Sequence, residues 1–143
     1  MMAVQGIAVR KANRGDQRMI LQIEDDSFGD PWSDEDFERM LAQPYTDCIV
    51  AVARRVVGFA VYSVTNDVVQ LVNMAVDPDY RKRGAGTALV NTVKTWALPK
   101  RPVETIVHET FLPAQLFLRS CGFKATGIAR SDDGDCYCFS FLP

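Results

Sequence analysis

Arg81, Lys82 and Arg83 stand immediately before Gly84-Ala85-Gly86-Thr87, so three cations precede two closely spaced glycines. That combination suits an anion. Glycine lets backbone amides approach a ligand closely, and Arg and Lys add positive charge. An apolar run from Val68 to Val76 and the turn Asp77-Pro78-Asp79-Tyr80 lead into the loop. Beyond it, Leu89, Val90, Val93, Trp96 and Ala97 recur at helical spacing. The loop therefore opens into a helix N-terminus, where amide N–H groups lack partners and partial positive charge collects. Arg81, Lys82, Arg83, Gly84, Ala85, Gly86 and Thr87 are the expected cradle of a diphosphate. The pattern has neither the Gly-Lys-Ser/Thr ending of a nucleoside-triphosphate loop nor the third glycine of a dinucleotide fingerprint. The plainer alternative is a basic surface loop capping an ordinary helix.

The elements that must position this loop can be read along the chain. Gly6 to Lys11 alternates as a strand. Asp16 to Phe28 carries Met19, Ile20, Ile23 and Phe28 at near-helical spacing and ends before Pro31-Trp32. Ser33-Asp34-Glu35-Asp36 has the form of a capping box, opening a helix whose buried stripe is Phe37, Met40 and Leu41. Cys48 to Ala53, Val57 to Thr65 and Val68 to Val76 form a meander, followed by a helix from Gly84 to Leu98 that Pro99 stops. Val103 to His108 is a strand reached through that helix, so it should run parallel to the strand ending at Val76. A helix from Pro113 to Ser120 and a hairpin of Lys124 to Ala129 with Cys136 to Leu142 complete the chain. The expected class is α/β (α+β): a mixed seven-stranded sheet flanked by helices, order β-α-α-β-β-β-α-β-α-β-β. No linker or repeat divides residues 1–143, so one domain is expected.

Arg81-x-x-Gly84-x-Gly86, its V-D-P-x-Y lead-in and this element order resemble the GNAT superfamily of acetyl-coenzyme A-dependent N-acetyltransferases, over nearly the whole chain. Phe28-Gly29-Asp30-Pro31-Trp32-Ser33 is similar to the F-x-P-W-S/T segment of bacterial ribosomal-protein alanine N-acetyltransferases, with one extra residue before the proline. The resemblance implies that acetyl-coenzyme A is the co-substrate. It implies that Met74, Ala75 and Val76 hold its pantetheine arm through the backbone, and that Phe28, Pro31 and Trp32 line the acceptor groove. The aromatics could equally pin their loop to the core. Ala114 to Phe123 resembles the family's A-x-x-L-Y-x-x-x-G-F, but three positions that are polar in the family are apolar. The tyrosine that protonates the departing thiolate falls on Leu118, the asparagine before the helix on Phe111, and the base on Ile106.

Acyl transfer to an amine needs a neutral nucleophile, N–H donors for the developing oxyanion, and a departing thiolate. Backbone donors survive side-chain substitution. A protein α-amine has a pKa near ~7.8 against ~10.4 for lysine, so a tenth or so is neutral at pH 7 and a weak base suffices. His108, the only histidine, and Glu104 share the Ile106 side of their strand by alternation. His108 is the preferred base, though it also reads as a solvent-facing strand end, and Tyr137 could supply a hydroxyl. Loss of a general acid typically costs ~10² to 10⁴ in rate. The expected acceptor is a protein or peptide N-terminus, with direct transfer in a ternary complex. A small amine (polyamine, amino sugar or amino acid) and a non-catalytic acetyl-coenzyme A-binding module are the alternatives.

Composition narrows the partners. A net charge of −2 gives no reason to expect nucleic acid. No apolar run approaches the roughly 20 residues that span a bilayer. Met1 to Gln5 has no signal-peptide pattern, so a cytoplasmic protein, monomer or homodimer, is expected. The acidic residues Glu24, Asp25, Asp26, Asp30, Asp34, Glu35 and Asp36 read as a solvated helix face or as an attraction for polyamines. Cysteines 48, 121, 136 and 138 lack a second close pair for zinc, so they read as small buried thiols and no metal is expected.

Overall fold

The computed structural model describes residues 6–97 and 100–143. Strands β1 (Ala8–Lys11), β2 (Thr46–Ala53), β3 (Arg55–Val64), β4 (Val69–Val76), β5 (Val103–His108), β6 (Lys124–Ala129) and β7 (Cys136–Phe141) form one sheet of order β1-β2-β3-β4-β5-β7-β6. Among the described residues, only β4 and β5 pair in parallel. The helices are α1 (Gln17–Ser27), α2 (Asp34–Leu41), α3 (Ala85–Lys94) and α4 (Leu112–Ser120). This is the expected element order. The expected α3 terminus differs: the α-helix ends at Lys94 and tightens into a 3-10 turn over Thr95–Ala97. Leu98 and the Pro99 stop lie outside the described residues, as do Met1 to Gln5. Among the described residues no helix is long and apolar enough to cross a membrane.

Two cores sandwich the sheet. On one face Leu89, Val90 and Val93 of α3 and Leu118 of α4 pack on Val57, Val69, Val103 and Phe139. On the other, Ile20 and Ile23 of α1 and Phe37 of α2 cover Cys48, Val50, Phe59 and Val61. Each such buried side chain contributes about 1.5–3 kcal/mol relative to its exposed state. The Ser33 capping box forms as expected: Asp36 N–H donates to Ser33 Oγ (3.1 Å) and Ser33 N–H to Asp36 Oδ2 (3.0 Å).

Cys48 is buried, and desolvation, aided by the charges of Asp16 and Asp47, pushes its thiol up to about 12. Since the thiolate is the nucleophile, iodoacetamide at pH 8 should leave Cys48 unmodified in the native protein and label it only after denaturation. Native labelling of Cys48 at the rate of the partly exposed Cys136 would contradict this packing.

Candidate functional site

The sheet opens at its centre. β4 and β5 share ladder pairs only at Val69 with Val103 and Gln70 with Glu104. Beyond them the strands splay, and the Thr105 hydroxyl takes the Leu71 carbonyl at 2.9 Å. A register shift against β3 places one extra residue, Val72, in β4 at the same level. Such a bulge bends its strand and re-aims the residues beyond it. Met74, Ala75 and Val76 therefore line an edge of β4 with no ladder partner on the β5 side. The Met74 N–H donates to Asn73 Oδ1 (2.9 Å), and the Val76 carbonyl accepts from Arg81 Nε (3.1 Å).

The cationic loop sits at the wide end of this splay. Asp77 anchors its lead-in: its N–H donates to the Val57 carbonyl, and its side chain accepts from Asp79 N–H and from Arg55 Nη1 at 2.7 Å. The Arg55 guanidinium holds the Asp77 carboxyl below its ordinary range. The Tyr80 ring has the Arg55 and Arg83 guanidinium groups at 5.1 and 5.2 Å from its centroid, which fixes Arg83 beside the loop. Tyr80 itself packs against the core. Arg81 reaches back to Ser27 Oγ on α1 at 3.2 Å.

Gly84 caps α3 at φ 96°, a left-handed conformation that favours glycine, and Lys82 shares the left-handed region at φ 62°. Left-handed residues at such turns are a feature of backbone nests that bind anions. No side chain caps this helix start, so the first amides of α3 remain without intrahelical partners. Gly86 has a different reason to be glycine. A Cβ there would lie 3.1 Å from Phe117 Cζ, so its smallness lets α4 approach the first turn of α3. A diphosphate fits this place: directed N–H donors, a positive helix end and three exposed cations.

On the opposite face, α1 meets the splay through Glu24, which is 2% exposed. Its Oε1 accepts from Asn73 Nδ2 at 2.7 Å and its Oε2 from the Trp32 N–H at 3.0 Å. One carboxylate thus ties the α1–α2 loop to the bulged strand. This corrects the reading of Glu24 as part of a solvated acidic face. Asp25, Asp26, Asp30, Asp34 and Glu35 are exposed, but Glu24 follows Ile20 and Ile23 into the core. Phe28 leaves the end of α1 to meet Phe111 edge-on, centroids 6.0 Å apart, across the mouth of the splay. Trp32 packs against the α1–α2 core, and Pro31 is partly buried beside it.

The side chains expected to carry acid–base chemistry do not converge. Glu104 pairs with Gln70 at the closed end of the splay, four residues from the level of Met74 in β4, on the order of 13 Å of strand. Tyr137 pairs with Val107 and packs toward the α3–α4 core, on the other face from Ile106. His108 is fully engaged. Its Nε2 lies 2.9 Å from the Asp133 carbonyl, an acceptor only, so Nε2 carries the proton. Nδ1 then accepts from the Thr110 hydroxyl (2.7 Å) and the Thr110 N–H (3.2 Å). Service as a base requires releasing one of these bonds. With the Glu109 N–H on the Asp135 carbonyl at 2.8 Å, the imidazole clamps the β6–β7 turn to the end of β5. His108→Ala should speed amide exchange at Glu109 and Thr110 by roughly ten-fold, since those bonds open locally without it. Unchanged exchange would contradict the clamp.

Asn73 and Thr105 are site residues not named from sequence, and Glu24 is named there only within the acidic run. A signal existed for each. Glu24 continues the Ile20, Ile23 stripe, Asn73 interrupts an apolar strand, and Thr105 sits between Val103 and Val107 on a core-facing side.

Comparison with known proteins gives this geometry a lineage. The model of the acetyltransferase (GNAT) family matches residues 18–123. The chain belongs to that family. The ribosomal protein bS18-alanine N-acetyltransferase of Escherichia coli strain K12 is 31% identical over 112 residues, 76% of this chain and 75% of that protein. Among solved structures, the ribosomal-protein-S18-alanine N-acetyltransferase from Escherichia coli has a TM-score of 0.81 at 22% identity, covering 95% of this chain and 93% of that one. Ard1 from Thermoplasma volcanium has a TM-score of 0.85 at 20% identity, covering 96% and 97%. At those identities the structures show a shared GNAT fold. The family match and the bacterial relative identify the protein as an N-acetyltransferase.

Proposed function

We propose that residues 1–143 act as one cytoplasmic acetyl-coenzyme A-dependent domain that acetylates the α-amine of a protein or peptide by direct transfer in a ternary complex. The observation that carries this reading is the meeting of the splayed β4 and β5 with the uncapped start of α3. When bound, acetyl-coenzyme A supplies an activated acyl group as a thioester. Arg81, Lys82, Arg83 and the amides of Gly84, Ala85, Gly86 and Thr87 hold its diphosphate. The backbone of Met74, Ala75 and Val76 holds the pantetheine arm in the splay. Phe28, Pro31 and Trp32 border the acceptor side, fixed through Glu24. An α-amine suits a site whose candidate bases, His108 and Glu104, are engaged or distant, because about a tenth of such amines are neutral at pH 7 without help. The Escherichia coli relative, named for a ribosomal-protein alanine, supports the same acceptor class.

Thiol release with acetyl-coenzyme A and a panel of N-terminal peptides, polyamines and amino sugars tests the reading. Turnover with peptides, carrying the acetyl group on the α-nitrogen by mass spectrometry, is expected. Turnover confined to polyamines or amino sugars, or none at all, would contradict it.

A further inference from the structure

Resting on the protein N-terminus reading, we propose that the acceptor side of the splay selects N-termini whose first residue is large and apolar, such as leucine or methionine. The side chains around this opening are unusually oily for solvent-exposed positions. Ile106 is 61% exposed, Phe111 39% and Val72 37%. They belong to different elements: the free edge of β5, the β5–α4 loop and the bulge of β4. Phe28 joins them by its edge contact with Phe111.

Ile106 lies on the side of β5 away from Val103 and Val107, which face the α3–α4 core, and so on the side covered by α1 and α2. The edge of β5 that carries Ile106 and the edge of β4 beyond Gln70 border the same splay, where the acyl group must be delivered. A substrate amine attacking there has its own first side chain against Ile106 and Phe111.

Charge narrows the choice further. Arg81, the cation nearest α1, bonds Val76 and Ser27 and is assigned to the diphosphate, not to the acceptor. Glu104 flanks Ile106 on the same side of β5, and Asp30 lies in the α1–α2 loop. An acidic first residue would lose water against an apolar wall beside the like charge of Glu104. A small first residue would leave the wall wetted. A leucine- or methionine-sized side chain covers it, and removal of apolar surface from water drives binding in proportion to area.

The test uses peptides identical beyond position one, with Leu, Met, Ala, Ser, Lys or Asp first, and kcat/KM at saturating acetyl-coenzyme A. Leu and Met should exceed Ala and Ser by about 10- to 100-fold, with Asp lowest. Ile106→Ser and Phe111→Ser should each compress that preference to within a few-fold, whereas Leu116→Ser on the exposed outer side of α4 should leave it unchanged. Because Ile106 is exposed, its variant is expected to keep the wild-type melting temperature. Equal or greater turnover of Ala-first or Ser-first peptides overturns this inference while leaving α-amine transfer standing, and a Lys-first preference would assign the selection to Glu104 instead. No turnover of any peptide, with small amines acetylated, overturns both.

Discussion

Glu24→Ala is expected to lower unfolding stability by about 2–4 kcal/mol, although the residue touches neither the cation loop nor the α3 start. The substitution leaves Asn73 Nδ2 and the Trp32 N–H, partners of Glu24 at 2.7 and 3.0 Å, without an acceptor. Each buried donor left unpaired costs about 1–3 kcal/mol. Glu24→Gln keeps the volume but offers one acceptor to two donors, so its loss should be about half as large. Denaturant unfolding measures both through the midpoint at constant slope. The affinity for coenzyme A should stay within about three-fold of wild type, because the diphosphate cradle lies elsewhere. Peptide turnover should fall as the α1–α2 loop and the Val72 bulge lose their common anchor. A stability change below about 0.5 kcal/mol would show that the buried carboxylate is not what joins them.

Thr87→Asp should separate binding from stability by moving them in opposite directions. Thr87 is exposed and occupies the third position of α3, whose start has no side-chain cap. A carboxylate in a first helical turn is favourable by about 0.3–1 kcal/mol through the helix dipole. The same carboxylate occupies the place proposed for a diphosphate. Two like charges about 4 Å apart repel by about 4 kcal/mol near a protein surface. The variant should therefore melt at or above the wild-type temperature and bind acetyl-coenzyme A at least about 100-fold more weakly. Weaker binding together with a lower melting temperature would point to local unfolding instead. Unchanged binding would remove the α3 start from the site.

The element order of this GNAT protein was legible because its signals are local. The capping box at Ser33, the meander, Gly84 at the start of α3 and the parallel return to β5 each follow from a few neighbouring residues. Of the expected loop residues, 81–84 form a turn and 85–87 open α3. What the chain does not display is geometry made by distant partners. The splay depends on where β4 and β5 stop pairing, which the bulge at Val72 and the Thr105 hydroxyl set. Alternation says nothing of the engagement of His108, which comes from Asp133, 25 residues away. The acidic run from Glu24 to Asp36 read as solvated because charge dominated the pattern. The apolar stripe of α1 had already assigned Glu24 to the interior. Gly86 looked like a residue chosen for an anion, but Phe117 fills the space where its side chain would be.

Calorimetric titration of the wild-type protein with coenzyme A and with pantetheine, which lacks the diphosphate, tests the central claim most directly. One molecule of coenzyme A per chain should bind, and pantetheine should bind at least about 100-fold more weakly, a difference of about 2.7 kcal/mol. Equal affinity for the two, or no heat with either, would contradict the assignment of residues 81–87 as a diphosphate receptacle.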